Sequence, residues 1–260
     1  METIDINNFN DIFFSPVKQK YSGNKSYKES IPQYKQLATS LTRMSGMSLY
    51  IFDYIEKKFV YISENNKITC GYSVDEIESM GVDFFRIILY GDDMETFTKI
   101  NDFGLNLFFN KLELSERCNY WASYDLRVVT KENEIHLYNF RFSPLVVDAD
   151  GNLVLAMVQV DASTNKKPGN FLIYSINEHK FFEYNFEKDR LIPLKQRLLN
   201  NNEKKVLNLL ARGLTINKVG NELSFDSNTM DYYNRSIISK LKVLNMKEAV
   251  FLYAKRGNFL

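Results

Sequence analysis

Apolar and polar positions follow different rhythms along this chain, and the changes of rhythm divide it. Residues 1 to about 30 are polar and irregular, rich in Asn, Lys and Ser and broken only by Ile12-Phe13-Phe14, which reads as a loosely attached arm. After Ser30 and Ile31-Pro32, the residues Tyr34, Leu37, Ala38, Leu41 and Met44 recur at helical spacing and predict a helix over 32–44. Arm and helix together make a first segment, 1–44.

Short apolar and aromatic runs come next. Leu49 to Asp53 and Phe59 to Ser63 flank Glu56-Lys57-Lys58 and predict a hairpin. Ser73-Val74-Asp75-Glu76 has capping-box spacing, because the Ser hydroxyl and the Glu carboxylate each satisfy a free amide of a first helical turn. Gly81 is placed to end that helix. Asp92-Asp93 is expected to cap another, carrying Met94, Phe97 and Ile100. From Tyr120 the period becomes two: Tyr120 to Thr130, Glu134 to Val147 and Leu153 to Val160 predict three strands, with turns at Lys131-Glu132-Asn133 and Asp148 to Asn152. The expected fold of 45–163 is α+β, an antiparallel sheet with helices gathered on one face. Residues 164–194 read as a linker around Lys166-Lys167-Pro168-Gly169, then extra strands at Phe171 to Tyr174, Lys180 to Tyr184 and Leu191-Ile192.

The last stretch, 195–260, is helical in period and predicts an all-α four-helix domain. Asn200 and Glu203 have capping-box spacing before an apolar face of Val206, Leu207, Leu210 and Ala211, and Gly213 ends it. Thr215 is placed to cap a short second helix with Val219 and Leu223 inward, and Gly220 leaves room for a close crossing. A tight connection, Ser224-Phe225-Asp226, leads to a third helix, capped by Asp226 or Ser227 and running to about Leu241. There Met230, Tyr233, Ile237 and Leu241 form one buried stripe, while Asn228, Asp231, Tyr232, Arg235 and Ser239 fall opposite. Asn245 and Glu248 cap a fourth. A polar helix held by a shorter one across a tight turn is the geometry that enters a major groove.

Charge sharpens this picture. The whole chain carries a formal net charge of +1, but residues 195–260 hold 12 Lys/Arg against 5 Asp/Glu, a net +7, which leaves 1–194 at −6. A basic tail on an acidic body points to a polyanionic partner for the tail alone. The N-terminus is acidic without an apolar run, and no stretch approaches the roughly 18 apolar residues of a membrane span, so the expected location is cytoplasmic, with no membrane partner.

The tail resembles the LuxR-type helix-turn-helix domain without gaps. The likeness rests on Glu203, Val206-Leu207, Ala211-Arg212-Gly213-Leu214-Thr215, Lys218-Val219-Gly220-Asn221-Glu222-Leu223, Thr229, Ile237, Lys240-Leu241, Val243, Asn245 and Glu248-Ala249-Val250. It implies a transcription regulator that binds double-stranded DNA. Its base-reading positions fall on Asp231, Tyr232 and Arg235, with Asn228 on the same face. A lysine is common where Asp231 stands; a carboxylate there either accepts from cytosine or only stabilises the helix N-terminus. Lys218, Ser227, Thr229 and Lys240 are the expected phosphate contacts. Val250, Phe251, Tyr253 and Ala254 give the fourth helix more apolar surface than one core stripe needs, which suggests a homodimer, as in the family, or else packing against the N-terminal domain.

Residues 45–163 resemble a PAS sensor domain. The markers are Tyr50 to Asp53, Phe59 to Ser63, Gly71-Tyr72-Ser73, Asp92-Asp93, Tyr124 to Val128, Asp148 to Asn152 and Asp161-Ala162-Ser163, in that order. Tyr90-Gly91 departs from the His-Pro common before the Asp pair. The resemblance implies a small-molecule or protein signal, and Phe84, Phe85, Phe108, Phe109, Trp121 and Tyr124 are a candidate ligand cavity set against plain core packing. His136 and His179 are the only histidines and Cys70 and Cys118 the only cysteines, so no metal site or cofactor is expected. No nucleophile elbow, phosphate loop or phosphorylated-receiver pattern stands out, so an enzyme with a DNA-binding tail is the weakest alternative. Between these lies a quorum-sensing receptor for an acyl-homoserine lactone. Such receptors share the tail but usually carry several tryptophans, whereas Trp121 is alone.

Overall fold

A computed structural model describes residues 13–14, 26–194, 199–241 and 243–256. The rest of the expected arm, and positions 195–198, 242 and 257–260 of the tail, lie outside the described residues. The chain divides into two compact units, Met1–Leu194 and Lys195–Leu260.

In the first unit a 3-10 turn, Ser26–Ser30, leads into α1, Ile31–Ser45, whose second residue is a proline. Strands β1 (Ser48–Asp53) and β2 (Lys58–Ile62) form the expected hairpin. Four helices follow: α2 (Asn66–Thr69), α3 (Val74–Met80), α4 (Asp83–Ile88) and α5 (Asp93–Asn110). Then come β3 (Tyr120–Val129), β4 (Ile135–Val147) and β5 (Leu153–Ala162). These pair antiparallel in the order β2-β1-β5-β4-β3. Because β5 returns beside β1, the helices must bridge one face of the sheet, and this is the PAS-like architecture. The Ser73–Glu76 capping box is present at α3.

Alternation along β1 explains why both faces are covered. Tyr50 and Phe52 join Phe59 and Ile62 in the main core beneath α3, α4 and α5, while Leu49 and Ile51 point the other way with Val60, Val154 and Leu155. Ala38, Ile31 and Tyr34 of α1 pack onto that second face. Only part of the α1 stripe is used: Leu37 and Met44 stay exposed. The arm is not loose throughout, since Phe13 and Phe14 are buried in the main core.

Asp92-Asp93 departs from its expected capping role. No side-chain cap bond forms at Asp92, and the buried Asp93 carboxylate instead accepts from the Arg127 amide at 2.5 Å and from its guanidinium, tying the start of α5 to β3. Strands β6 (Gly169–Ser175), β7 (Lys180–Asn185) and β8 (Arg190–Pro193) continue the same sheet outward from β3 as a meander. Phe171, Ile173 and Tyr184 thereby extend the main core. Among the described residues, no helix is long and apolar enough to cross a membrane.

The second unit holds α6 (Asn201–Ala211), α7 (Ile216–Leu223), α8 (Ser227–Leu241) and α9 (Met246–Arg256). Val206, Leu207, Val219, Met230, Ile237 and Ala249 are its buried centre.

Candidate nucleic-acid interface

Each helix of the tail begins at the residue its sequence marks. The Asn200 side chain accepts from the Glu203 amide at 2.9 Å, and the Glu203 carboxylate takes the Asn200 amide in return. Thr215 caps α7, Asp226 accepts from the Thr229 amide at 2.7 Å at the head of α8, and Asn245 accepts from the Glu248 amide at 2.9 Å. Between α7 and α8 the chain turns sharply. Ser224 adopts a left-handed φ of 55°, and the Phe225 amide donates to the Gly220 carbonyl. Gly220 lets the turn close tightly here, because a Cβ would lie 3.2 Å from both the Phe225 carbonyl oxygen and Met230 Cγ, closer than an ordinary contact.

That turn fixes which way α8 faces. Met230 and Ile237 are buried, with Tyr233 and Leu241 packed beside them. Tyr233 stacks near Phe225, and its hydroxyl accepts from Asn202. The opposite face carries Asn228, Asp231, Tyr232, Arg235 and Ser239, all exposed, with Tyr232 at 61%. Arg235 Nε donates to the Asp231 carbonyl one turn back, which leaves the rest of its guanidinium outward. Lys218 and Ser227 are exposed on the neighbouring rim and Thr229 is half-buried.

Lys240 has a different task from the one expected. Its Nζ donates to Glu203 at 2.7 Å, and Ser236 Oγ donates to the other carboxylate oxygen at 2.6 Å, although Glu203 is fully buried. Burial pushes the Glu203 carboxyl up, but the Lys240, Ser236 and Asn200 contacts outweigh it and hold the group below its ordinary value. Lys240 therefore ties α8 to α6, and its charge is committed inside the domain.

The fourth helix offers less surplus than its sequence suggests. Ala249 and Leu252 are buried, and Val250 and Tyr253 pack against the same core. Only Phe251 and Ala254 of the expected dimer set stand exposed.

A cavity of about 90 Å³ lies between the sheet and α5 in the first unit. Phe85, Phe108, Trp121 and Tyr124 line it as expected, but Phe84 and Phe109 do not. Consecutive helical residues point about 100° apart, so Phe84 turns to Tyr72 while Phe85 faces the cavity; Phe109 meets the Arg117 guanidinium, which also lies over the Phe108 ring. Tyr50 and Phe52 from β1, Phe97 and Asn101 from α5, Phe171 from β6 and Phe13 from the arm complete the wall. The alternation of β1 and the helical spacing of 97, 101, 104 and 108 carried that signal. Cys70 is buried near the same core, and burial pushes its thiol up to about 12, which keeps it protonated and weakly nucleophilic at neutral pH.

Residues 197–253 match the family model of bacterial regulatory proteins, luxR family. No curated protein matches the chain. Among solved structures, it is similar to a Vibrio cholerae VqmA dimer determined without target DNA, at 14% identity over 85% of this chain and 87% of that one, with a TM-score of 0.30. A phage VqmA–DPO complex shares 15% identity over 90% of this chain and 92% of that one, at 0.27. A PAS domain from Colwellia psychrerythraea shares 14% over 50% of this chain and 97% of that one, at 0.36. Likenesses this low transfer no ligand and no partner to this chain. The C-terminal stretch itself is a LuxR-type helix-turn-helix domain.

Proposed function

We propose that this chain is a one-component transcription regulator of the cytoplasm, in which the LuxR-type domain reads duplex DNA and the PAS-like unit senses a signal. One observation carries the reading: Asn228, Asp231, Tyr232 and Arg235 share an exposed face of α8, opposite the stripe that anchors it. Arg235 supplies a fork for guanine, Asn228 and Tyr232 supply shorter polar groups, and Asp231 accepts from cytosine. Lys218 and Ser227, which are exposed, and Thr229, which is half-buried, are the phosphate contacts of this reading, flanking a helix seated in the major groove.

A homodimer joined through Phe251 and Ala254 fits this function, and it favours a site with two half-sites. The chain acts by binding rather than by catalysis. Its signal is a small molecule held in the cavity beside Tyr124. An acyl-homoserine lactone is disfavoured, because about 90 Å³ has no room for a long acyl tail.

The deciding experiment is selection of bound duplexes by the full chain, followed by fluorescence anisotropy on the enriched site. A specific site whose affinity falls linearly in log salt is expected. No DNA affinity at low salt overturns the reading.

A further inference from the structure

We infer that Asp231 and Arg235 read a single base pair together, a C·G pair in which Asp231 takes the cytosine and Arg235 the guanine. The inference rests on the DNA-reading function proposed above and adds to it the identity of one operator base pair. An exposed carboxylate on α8 has two roles open to it, holding the helix N-terminus or meeting a ligand. The first is already filled. Helix α8 starts at Ser227, the Asp226 side chain takes the Thr229 amide at 2.7 Å, and the Met230 amide donates to the Asp226 carbonyl. The free amides therefore end before Asp231, which lies beyond the first turn where a negative charge is stabilised. Among the described residues, the Asp231 carboxylate has no hydrogen-bond or ion-pair partner, whereas Glu203, Asp226 and Glu248 of the same unit are each tied to an amide or a lysine. The fold makes no use of this carboxylate.

Arg235 supplies the second observation. Its Nε donates back to the Asp231 carbonyl at 3.3 Å. Residues four apart are separated by about 6 Å along a helix axis, roughly two base-pair steps, so extended side chains at 231 and 235 reach different pairs. The fold-back draws the guanidinium toward Asp231 and offsets that separation. Base chemistry then selects the pair, written with the base facing Asp231 first. On the major-groove edge cytosine presents its N4 amino donor and guanine its O6 and N7 acceptors. A carboxylate only accepts and a guanidinium only donates, so C·G satisfies both side chains. T·A sets thymine O4 against the carboxylate and the adenine amino group against the guanidinium. The reversed G·C pair opposes like groups in the same way. A·T stands second, because adenine N6 serves Asp231 and thymine O4 gives Arg235 one bond in place of a fork.

The full chain tests this on its selected duplex, with each position changed in turn to the other three base pairs and affinity read by anisotropy. Wild type, Asp231→Ala, Arg235→Ala and the double variant are compared, and melting is checked for each. At one position the wild type is expected to lose about tenfold or more when C·G becomes T·A or G·C, and less when it becomes A·T. Both single variants relax that same position, and the double variant discriminates there little worse than either alone. Asp231→Ala also binds unrelated duplex severalfold more tightly, because the carboxylate no longer repels phosphate. Asp231→Asn, equal in size and uncharged, repeats the measurement should alanine lower the melting temperature. Relaxation at two different positions, a preference for T·A or G·C at the shared one, or an uncharged variant that discriminates like the wild type each overturns the inference. A chain with no specific duplex sinks the regulator reading, whereas a specific duplex with any of those three outcomes sinks this inference alone.

Discussion

Arg235 on the outer face of α8 and Glu203 of α6, held from α8 by Ser236 and Lys240, fail in different ways when changed. Arg235 is exposed on the polar face, so Arg235→Ala is expected to leave the fold intact, weaken specific binding by about 1 to 3 kcal/mol and relax the preference at one base pair. Competition with single-base variants of the selected site measures both effects. Lys240 holds a buried carboxylate, and Lys240→Met is expected to cost about 3 kcal/mol of tail-domain stability in urea unfolding. The pH dependence follows from the same contact. The folded Glu203 carboxyl lies below its ordinary 4.5, so its contribution is fully present above that value and is lost as pH falls through the lowered folded one. Glu203→Gln should flatten the acid limb of a stability profile. Sequence alone gave Lys240 to phosphate because a surface lysine and an ion-paired one look identical until α6 is folded beside α8.

At the level of elements, the α7–turn–α8 unit depends on close approach. A side chain at position 220 meets a backbone carbonyl at 3.2 Å, and Gly220→Val is expected to destabilise the tail by roughly 1 to 3 kcal/mol with loss of DNA binding. Thermal melting together with anisotropy checks this, and an unshifted melting curve contradicts it. Helix starts were legible throughout the tail, because a cap is local: Asn200, Thr215, Asp226 and Asn245 each bond an amide three residues on. Asp93 misled for the complementary reason. Its carboxylate is claimed by Arg127, 34 residues away in sequence, and capping chemistry does not announce a long-range competitor. The apolar surplus of α9 was overestimated in the same way, since only the packed domain shows Val250 and Tyr253 turned toward the core.

On the scale of the whole molecule, charge separation makes a prediction that no single contact does. With +7 on 195–260 and −6 on 1–194, DNA affinity should fall linearly with log salt, and Lys218→Ala should lower the slope by about 1. Anisotropy across a salt series reads the slope directly; an unchanged slope removes Lys218 from the phosphate contacts. The extra strands of 164–194 could be recognised as strands, but nothing in their sequence says that they extend the sheet from β3 rather than form one of their own. The first five strands leave two open edges, β2 and β3, and only the fold decides that β6 pairs with β3.

The sequence by itself determined the order of the strands, the helix caps of the tail and the polar face of α8, because each depends on periodicity or on bonds spanning three or four residues. Tertiary structure alone decided that Lys240 faces inward, that Phe13 reaches the main core, and that Tyr50 and Tyr124 meet across a shared cavity. Those outcomes depend on segments distant along the chain arriving at one place, and the geometry that sets their distance does not exist until the sheet closes.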